Sequence, residues 1–153
     1  MSTNDTRYLC FRLANESYAA PLPAVKEVIG VPEVTSVPNV PSYFLGVMNL
    51  RGQVITVIDL RMKFGLKADR ATETCVVIFE FASYCIGVIV DEVVSVLNVT
   101  TEDLKTPPDT MKKNDFITNV INQNERLILV LDIASALGLQ DQQKVKELQK
   151  AAS

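Results

Sequence analysis

Asn49-Leu50-Arg51-Gly52-Gln53-Val54-Ile55-Thr56-Val57-Ile58-Asp59-Leu60-Arg61 is the stretch that decides the fold. Asn49 to Gly52 reads as a tight turn between two strands, with Val47 and Met48 leading in. Gly52 supplies a position that adopts φ > 0 without strain. Val54 to Leu60 is aliphatic or β-branched at nearly every position, the pattern of a strand packed on both faces. An arginine stands at the tip of the turn. It has two readings: a solvated turn residue, or a permanently charged fork of five donors offered to a partner.

The totals narrow the classes. A chain of 153 residues is one domain or two very small ones, and 48% hydrophobic residues are enough to build a core. The net charge is -3 and no Lys/Arg cluster occurs, which argues against nucleic acid and against anionic membrane surfaces. Met1 to Thr6 is polar and carries no apolar leader. The longest apolar run, Cys75 to Val90, is broken by Glu80 and Ser83, so no direct membrane insertion is expected. The expectation is a soluble cytoplasmic protein. Cys10, Cys75 and Cys85 lack CxxC spacing, fall in strand-like runs and read as small buried hydrophobes. The absence of histidine removes Ser-His and Cys-His nucleophiles and the commonest zinc ligand. No glycine-rich phosphate motif occurs. No cofactor or metal is called for, and an enzyme built on this chain would need convergent carboxylates, a perturbed Lys or a Tyr.

Read in order, Tyr8 to Leu13 and Tyr18 to Leu22 are strands. Pro23 to Glu27 suits one helical turn, and Val28 to Val31 is extended. Pro32, Pro38 and Pro41 mark an irregular crossing that ends at Tyr43 and Phe44. After the Asn49–Leu60 hairpin, Arg61 to Leu66 turns away as a short helix ended by Gly65, and Lys67 to Thr72 is a polar connector. Thr74 to Phe81 and Tyr84 to Val90 form another hairpin, and Asp91 to Val99 continues extended. Thr100 to Asp115 is a polar loop. Phe116 to Ile121 and Leu127 to Leu131 make the last hairpin. Asp132 to Leu137 is helical up to Gly138, and Asp141 caps a final surface helix running to about Ala151. Short strands at regular spacing, punctuated by Pro and Gly, indicate a small all-β barrel architecture.

The two halves echo each other. Gln53 to Leu66 aligns without gaps to Arg126 to Leu139, placing Asp59 opposite Asp132 and Gly65 opposite Gly138. The echo implies two similar barrels of about 60 residues sharing an apolar seam, since barrels so small are marginal alone. Leu50-Arg51-Gly52 is replaced in the second copy by Gln123-Asn124-Glu125. The arginine is therefore not required by the architecture. Asp59 and Asp132 each end a strand and read as caps.

Phe11-Arg12-Leu13, Val25-Lys26-Glu27-Val28, Val37-Pro38, Gly46 to Gly52 and Val57-Ile58-Asp59-Leu60-Arg61 together resemble the CheW family of bacterial chemotaxis adaptors. The likeness runs from Tyr8 to Leu139. It implies two SH3-like five-stranded β-barrels packed together, with short helices and a C-terminal helix. It divides the chain into a flexible tail at 1–7, a domain at 8–139 with halves near 8–66 and 75–139 between which strands are exchangeable, and a surface helix at 140–153. It implies a non-catalytic scaffold joining the cytoplasmic tips of methyl-accepting chemotaxis receptors to the regulatory domain of the histidine kinase CheA, recruited to arrays at the inner membrane. The receptor-facing positions that carry over are Arg51, Glu27 and Val25, on a turn motif completed by Asn49, Leu50 and Gly52. No motif marks the kinase-facing residues. Thr56 stands where the family often has proline, and Pro21-Leu22-Pro23 is unusual. The alternatives are the same adaptor role in a non-motility or pilus-type array, and a ligand-binding regulatory domain with a pocket in the seam.

Overall fold

In the computed structural model, which describes residues 6–66, 74–108 and 116–152, strands with two buried faces organise the chain. β1 (Thr6–Leu13) and β2 (Glu16–Pro21) form a hairpin. A 3-10 turn at Leu22–Ala24 leads into β3 (Val25–Gly30). β4 (Phe44–Leu50) and β5 (Gln53–Ile58) form the hairpin that carries Arg51, and α1 (Leu60–Lys63) follows. Then come β6 (Cys75–Glu80), β7 (Cys85–Val90), β8 (Glu92–Val99), the two-residue β9 (Leu104–Lys105), β10 (Ile117–Gln123), β11 (Arg126–Leu131) and α2 (Ile133–Ala152).

These strands form two mixed sheets, ordered β8-β1-β2-β11-β10-β9 and β3-β6-β7-β5-β4. The first hairpin joins strands of the second half through the parallel pair β2–β11, and the β6–β7 hairpin joins strands of the first half through β5–β7. The halves thus exchange hairpins reciprocally. Each sheet closes on itself. Gln123 of β10 donates from Nε2 to the Asn98 carbonyl of β8 at 2.8 Å. Those strands stand four places apart, about 19 Å in a flat sheet. In the other sheet Thr35, five residues beyond β3, pairs with Val47 of β4 through bonds of 2.8 and 2.9 Å.

Rolling the sheets gives each strand an inside and an outside, and in the central strands both are buried, while β3 and β8 leave one face open. Along β1, Tyr8 and Cys10 fill the interior of their own barrel, while Leu9, Phe11 and Leu13 enter the seam. Along β6, Val76 and Ile78 point into the other barrel, while Val77 and Phe79 enter the seam. The period of two is intact, but a hydrophobic environment on each side makes the sequence read as a continuous apolar run. The three cysteines are free and lie in β1, β6 and β7.

The internal echo holds in three dimensions at a constant offset of 73 residues. β4 and β5 map onto β10 and β11 with identical bounds. The register slips between Phe44 and Gly46 in one barrel, and between Ile117 and Asn119 in the other. Asp59 N–H donates to the Tyr43 carbonyl at 2.9 Å, and Asp132 N–H to the Phe116 carbonyl at 2.8 Å. Gly65 and Gly138 both take left-handed φ, 73° and 76°. Both aspartates cap: Asp59 accepts from Arg61 N–H at 3.0 Å, and Asp132 accepts from Ser135 N–H at 3.2 Å.

The structure departs from the sequence reading in five places. Pro23 and Ala24 belong to a 3-10 turn, but Val25 to Glu27 are already strand, because pairing of Val25 with Phe79 and Glu27 with Ile78 outweighs the local helical preference. Strand pairing begins earlier than Tyr8: Thr6 and Arg7 sit opposite Val99 and Asn98. The rest of the expected tail and the 67–72 connector lie outside the described residues. The expected loop from Thr100 contains β9, and residues 109–115 lie outside the described residues. Asp141 is buried, and its carboxylate accepts from the Tyr43 hydroxyl at 2.7 Å and from the Lys63 ammonium. The final helix is one limb of α2, bent at Gly138, and it inserts Val145 fully into the seam with Leu148 packed beside it.

The tyrosines yield a pH prediction. Burial raises the phenol pKa at all four, Tyr8, Tyr18, Tyr43 and Tyr84. The Asp141 carboxylate raises Tyr43 further, and Glu16 and Asp132 add smaller increments at Tyr18 and Tyr84. The unfolded chain ionises these phenols near pH ~10 and so sheds protons before the native state does. The stabilisation is fully present below that pH and is lost as pH rises through the higher native values. Phenolate absorbance should therefore appear together with loss of circular dichroism. Phenolates forming near pH 10 in a protein with an unchanged spectrum would contradict the burial.

Candidate functional site

The β4–β5 turn is built to present one side chain. Its central residues, Arg51 and Gly52, have φ of 51° and 87°. Two positive values are the signature of the type I′ turn, whose twist matches that of the flanking strands. Glycine takes this conformation freely, but arginine pays a steric cost. Asn49 supports the turn by accepting the Gly52 N–H on Oδ1 at 2.9 Å. Leu50 packs against the barrel interior and anchors the strand end. The Arg51 side chain is left 67% exposed.

Arg51 meets Glu27. Its Nη2 donates to Glu27 Oε2, from the turn to the edge strand β3. An ion pair this exposed contributes about 0–1 kcal/mol, too little to explain a strained arginine. The guanidinium keeps further donors for another acceptor. The neighbourhood is polar and balanced in charge. Lys26 reaches Gln53 Oε1 at 3.3 Å and Glu80 Oε2 at 3.6 Å, and Gln53 Nε2 approaches Cys85 Sγ at 3.5 Å. Val28, on the same strand, is an exposed apolar residue.

Of the residues singled out in sequence, Arg51, Glu27, Asn49, Leu50 and Gly52 gather at one end of one barrel. Val25 lies on the same strand, half-buried against the seam. Sequence reasoning missed Lys26, Gln53, Glu80 and Val28. Treating Val25–Gly30 as a strand would have found Lys26 and Val28, because alternation along it exposes them. The corresponding turn of the other barrel, Asn124-Glu125, has the same left-handed φ values, 51° and 63°, with different chemistry.

The family model for the CheW-like domain matches residues 7–141. The chain belongs to the CheW-like family. It is 31% identical over 147 residues to the chemotaxis protein CheW of Klebsiella aerogenes, covering 94% of this chain and 89% of that protein. It is 32% identical over 133 residues to CheW of Helicobacter pylori, covering 86% and 81%. The crystal structure of the scaffolding protein TtCheW from Thermoanaerobacter tengcongensis superimposes with a TM-score of 0.82 at 26% identity, over 89% of this chain and 94% of that one. The CheW fold of two SH3-like barrels accounts for the two rolled sheets and their shared seam. Within the described residues no helix is long and apolar enough to cross a membrane.

Proposed function

We propose that this chain is a non-catalytic cytoplasmic adaptor that joins the signalling tips of methyl-accepting chemotaxis receptors to the regulatory domain of a CheA-type histidine kinase. It works at receptor arrays on the inner membrane. Arg51 and Glu27 form the receptor-facing site, with Val25 setting the strand from which Glu27 projects. The observation that carries the reading is Arg51 itself: a left-handed, exposed arginine on one barrel's turn, where the matching turn of the other barrel has Asn124-Glu125. Receptor tips are helical coiled coils with charged flanks, and a guanidinium fork suits their carboxylates. The seam gives little support to a ligand-binding alternative, because Phe11, Phe79, Ile58, Ile86 and Leu131 meet there at 0% exposure.

Titration calorimetry against the regulatory domain of a CheA kinase from the same cell should give saturable one-to-one binding. Arg51→Glu should lower affinity for a receptor-tip fragment about tenfold or more. Its stability should change by about 0.5 kcal/mol or less, since the turn is exposed. A folded Arg51→Glu protein with unaltered receptor affinity would remove Arg51 from the site. Failure to bind any kinase regulatory domain of that cell would count against the adaptor reading as a whole.

A further inference from the structure

Where the chain passes from one barrel to the other, a single buried guanidinium holds two carboxylates. Arg61 follows β5 and has a side chain only 4% exposed. Its Nε and Nη2 donate to Asp59 Oδ1 and Oδ2 at 3.0 and 2.9 Å, a bidentate pair within one barrel. Its Nη1 donates to Asp91 Oδ1. Asp91 is the one residue between β7 and β8, which lie in different sheets. The other oxygen of Asp91 accepts the Ala14 N–H at 2.6 Å, in the β1–β2 turn of the second barrel, and the Asp91 N–H donates to the Arg12 carbonyl at 2.9 Å.

Stability alone does not account for this arrangement. Two carboxylates share one guanidinium in a mostly buried place, and desolvation offsets much of the Coulombic gain. Hydrophobic burial drives the seam together, but it is non-directional. A small rotation of one apolar layer against the other changes each of its many weak contacts only slightly. A planar fork bonded to fixed oxygens on both sides does not slide in that way. We infer that the Asp59–Arg61–Asp91 cluster is a strut that sets the orientation of the two barrels. It thereby fixes the Arg51 turn of one barrel relative to the Asn124-Glu125 turn of the other. The inference concerns the chain by itself and does not depend on which partners it binds.

Asp91→Ala is the decisive variant. It removes the carboxylate that joins the Arg61 fork to the β1–β2 turn but leaves the bidentate Asp59–Arg61 pair and the Asp91 N–H bond in place, so each barrel keeps its own interior. Residual dipolar couplings of the backbone amides report orientation directly. In the wild type, one alignment tensor should fit both barrels, and the Ala14 amide should exchange slowly. In Asp91→Ala, each barrel should fit as well as before when treated separately, but the two should require different tensors. The Ala14 amide should exchange about tenfold faster or more. Orientation is the informative readout, because loss of a purely stabilising contact lowers the melting temperature without splitting the tensor. Should Asp91→Ala not fold, isosteric Asp91→Asn decides. It loses one of the two acceptors, and the tensors should still separate. A folded variant in which one tensor fits both barrels overturns the strut.

Discussion

Ile58→Asp should leave the protein unfolded at every temperature. Ile58 is 0% exposed and ends β5, which is paired on both sides: Ile58 sits opposite Phe44 of β4 and Val88 of β7. Its side chain enters the seam. Removing it forfeits about 2–3 kcal/mol of apolar burial. The new carboxylate adds several kcal/mol if it stays ionised. No relief comes from nearby, because Asp59 is the adjacent residue and the Arg61 fork already serves Asp59 and Asp91. The sum, roughly 5–10 kcal/mol, is comparable to the 5–15 kcal/mol that holds a typical domain and is large enough to unfold this one. Ile58→Val, which removes one methylene, should cost about 1 kcal/mol and melt cooperatively. Far-ultraviolet circular dichroism with a thermal scan of both variants is the measurement. A cooperative Ile58→Asp transition within a few degrees of wild type would mean that the seam is wet or the β5 register is different.

The hairpins were legible in the sequence because a tight turn between apolar runs is a local signal. The Asn49–Gly52 turn, the 53–66 echo at 126–139 and the caps at Asp59 and Asp132 each depend on residues a few positions apart. The way each hairpin finds its sheet is not local. β1 and β2 stand next to β3 in the chain, yet they pair with β8 and β11. Two-sided aliphatic strands carry no address for a partner, so exchange could be expected between the halves but the identity of the exchanged hairpins had to come from the structure. The same reasoning divides the site. Arg51 stood out because its counterpart in the repeat has other chemistry. Its contact with Glu27 was hidden, because it requires the sheet to roll so that β3 reaches the β4–β5 turn. The misread turn at Pro23 compounded this by placing Glu27 on a helix instead of an edge strand.

Gly46→Ala should cost about 3–5 kcal/mol, through backbone strain together with lost hydrogen bonds. Gly46 lies in β4 with φ of 144°, at the slip in register with β5. A Cβ there would stand 2.0 Å from the Thr35 carbonyl oxygen and 2.7 Å from its carbon. These are backbone atoms, so no rotamer change relieves the clash. The same oxygen accepts the Val47 N–H at 2.9 Å, and the bond pins the 31–43 crossing to β4. Driving Thr35 away breaks that bridge and frees β4, whose last residues Asn49 and Leu50 lead into the Arg51 turn. The melting temperature should fall by roughly 10 °C, given about 2–4 °C per kcal/mol for a chain of this size. Gly30→Ala is the matched control, because nothing lies within 4 Å of its added Cβ, and it should melt within a few degrees of wild type. Equal melting of the two variants would show that Gly46 does not sit against Thr35. If Gly46→Ala is destabilised as expected, its Arg51 turn should also lose amide protection at Gly52 ahead of the core. A glycine chosen for close backbone approach then also determines where the arginine is presented.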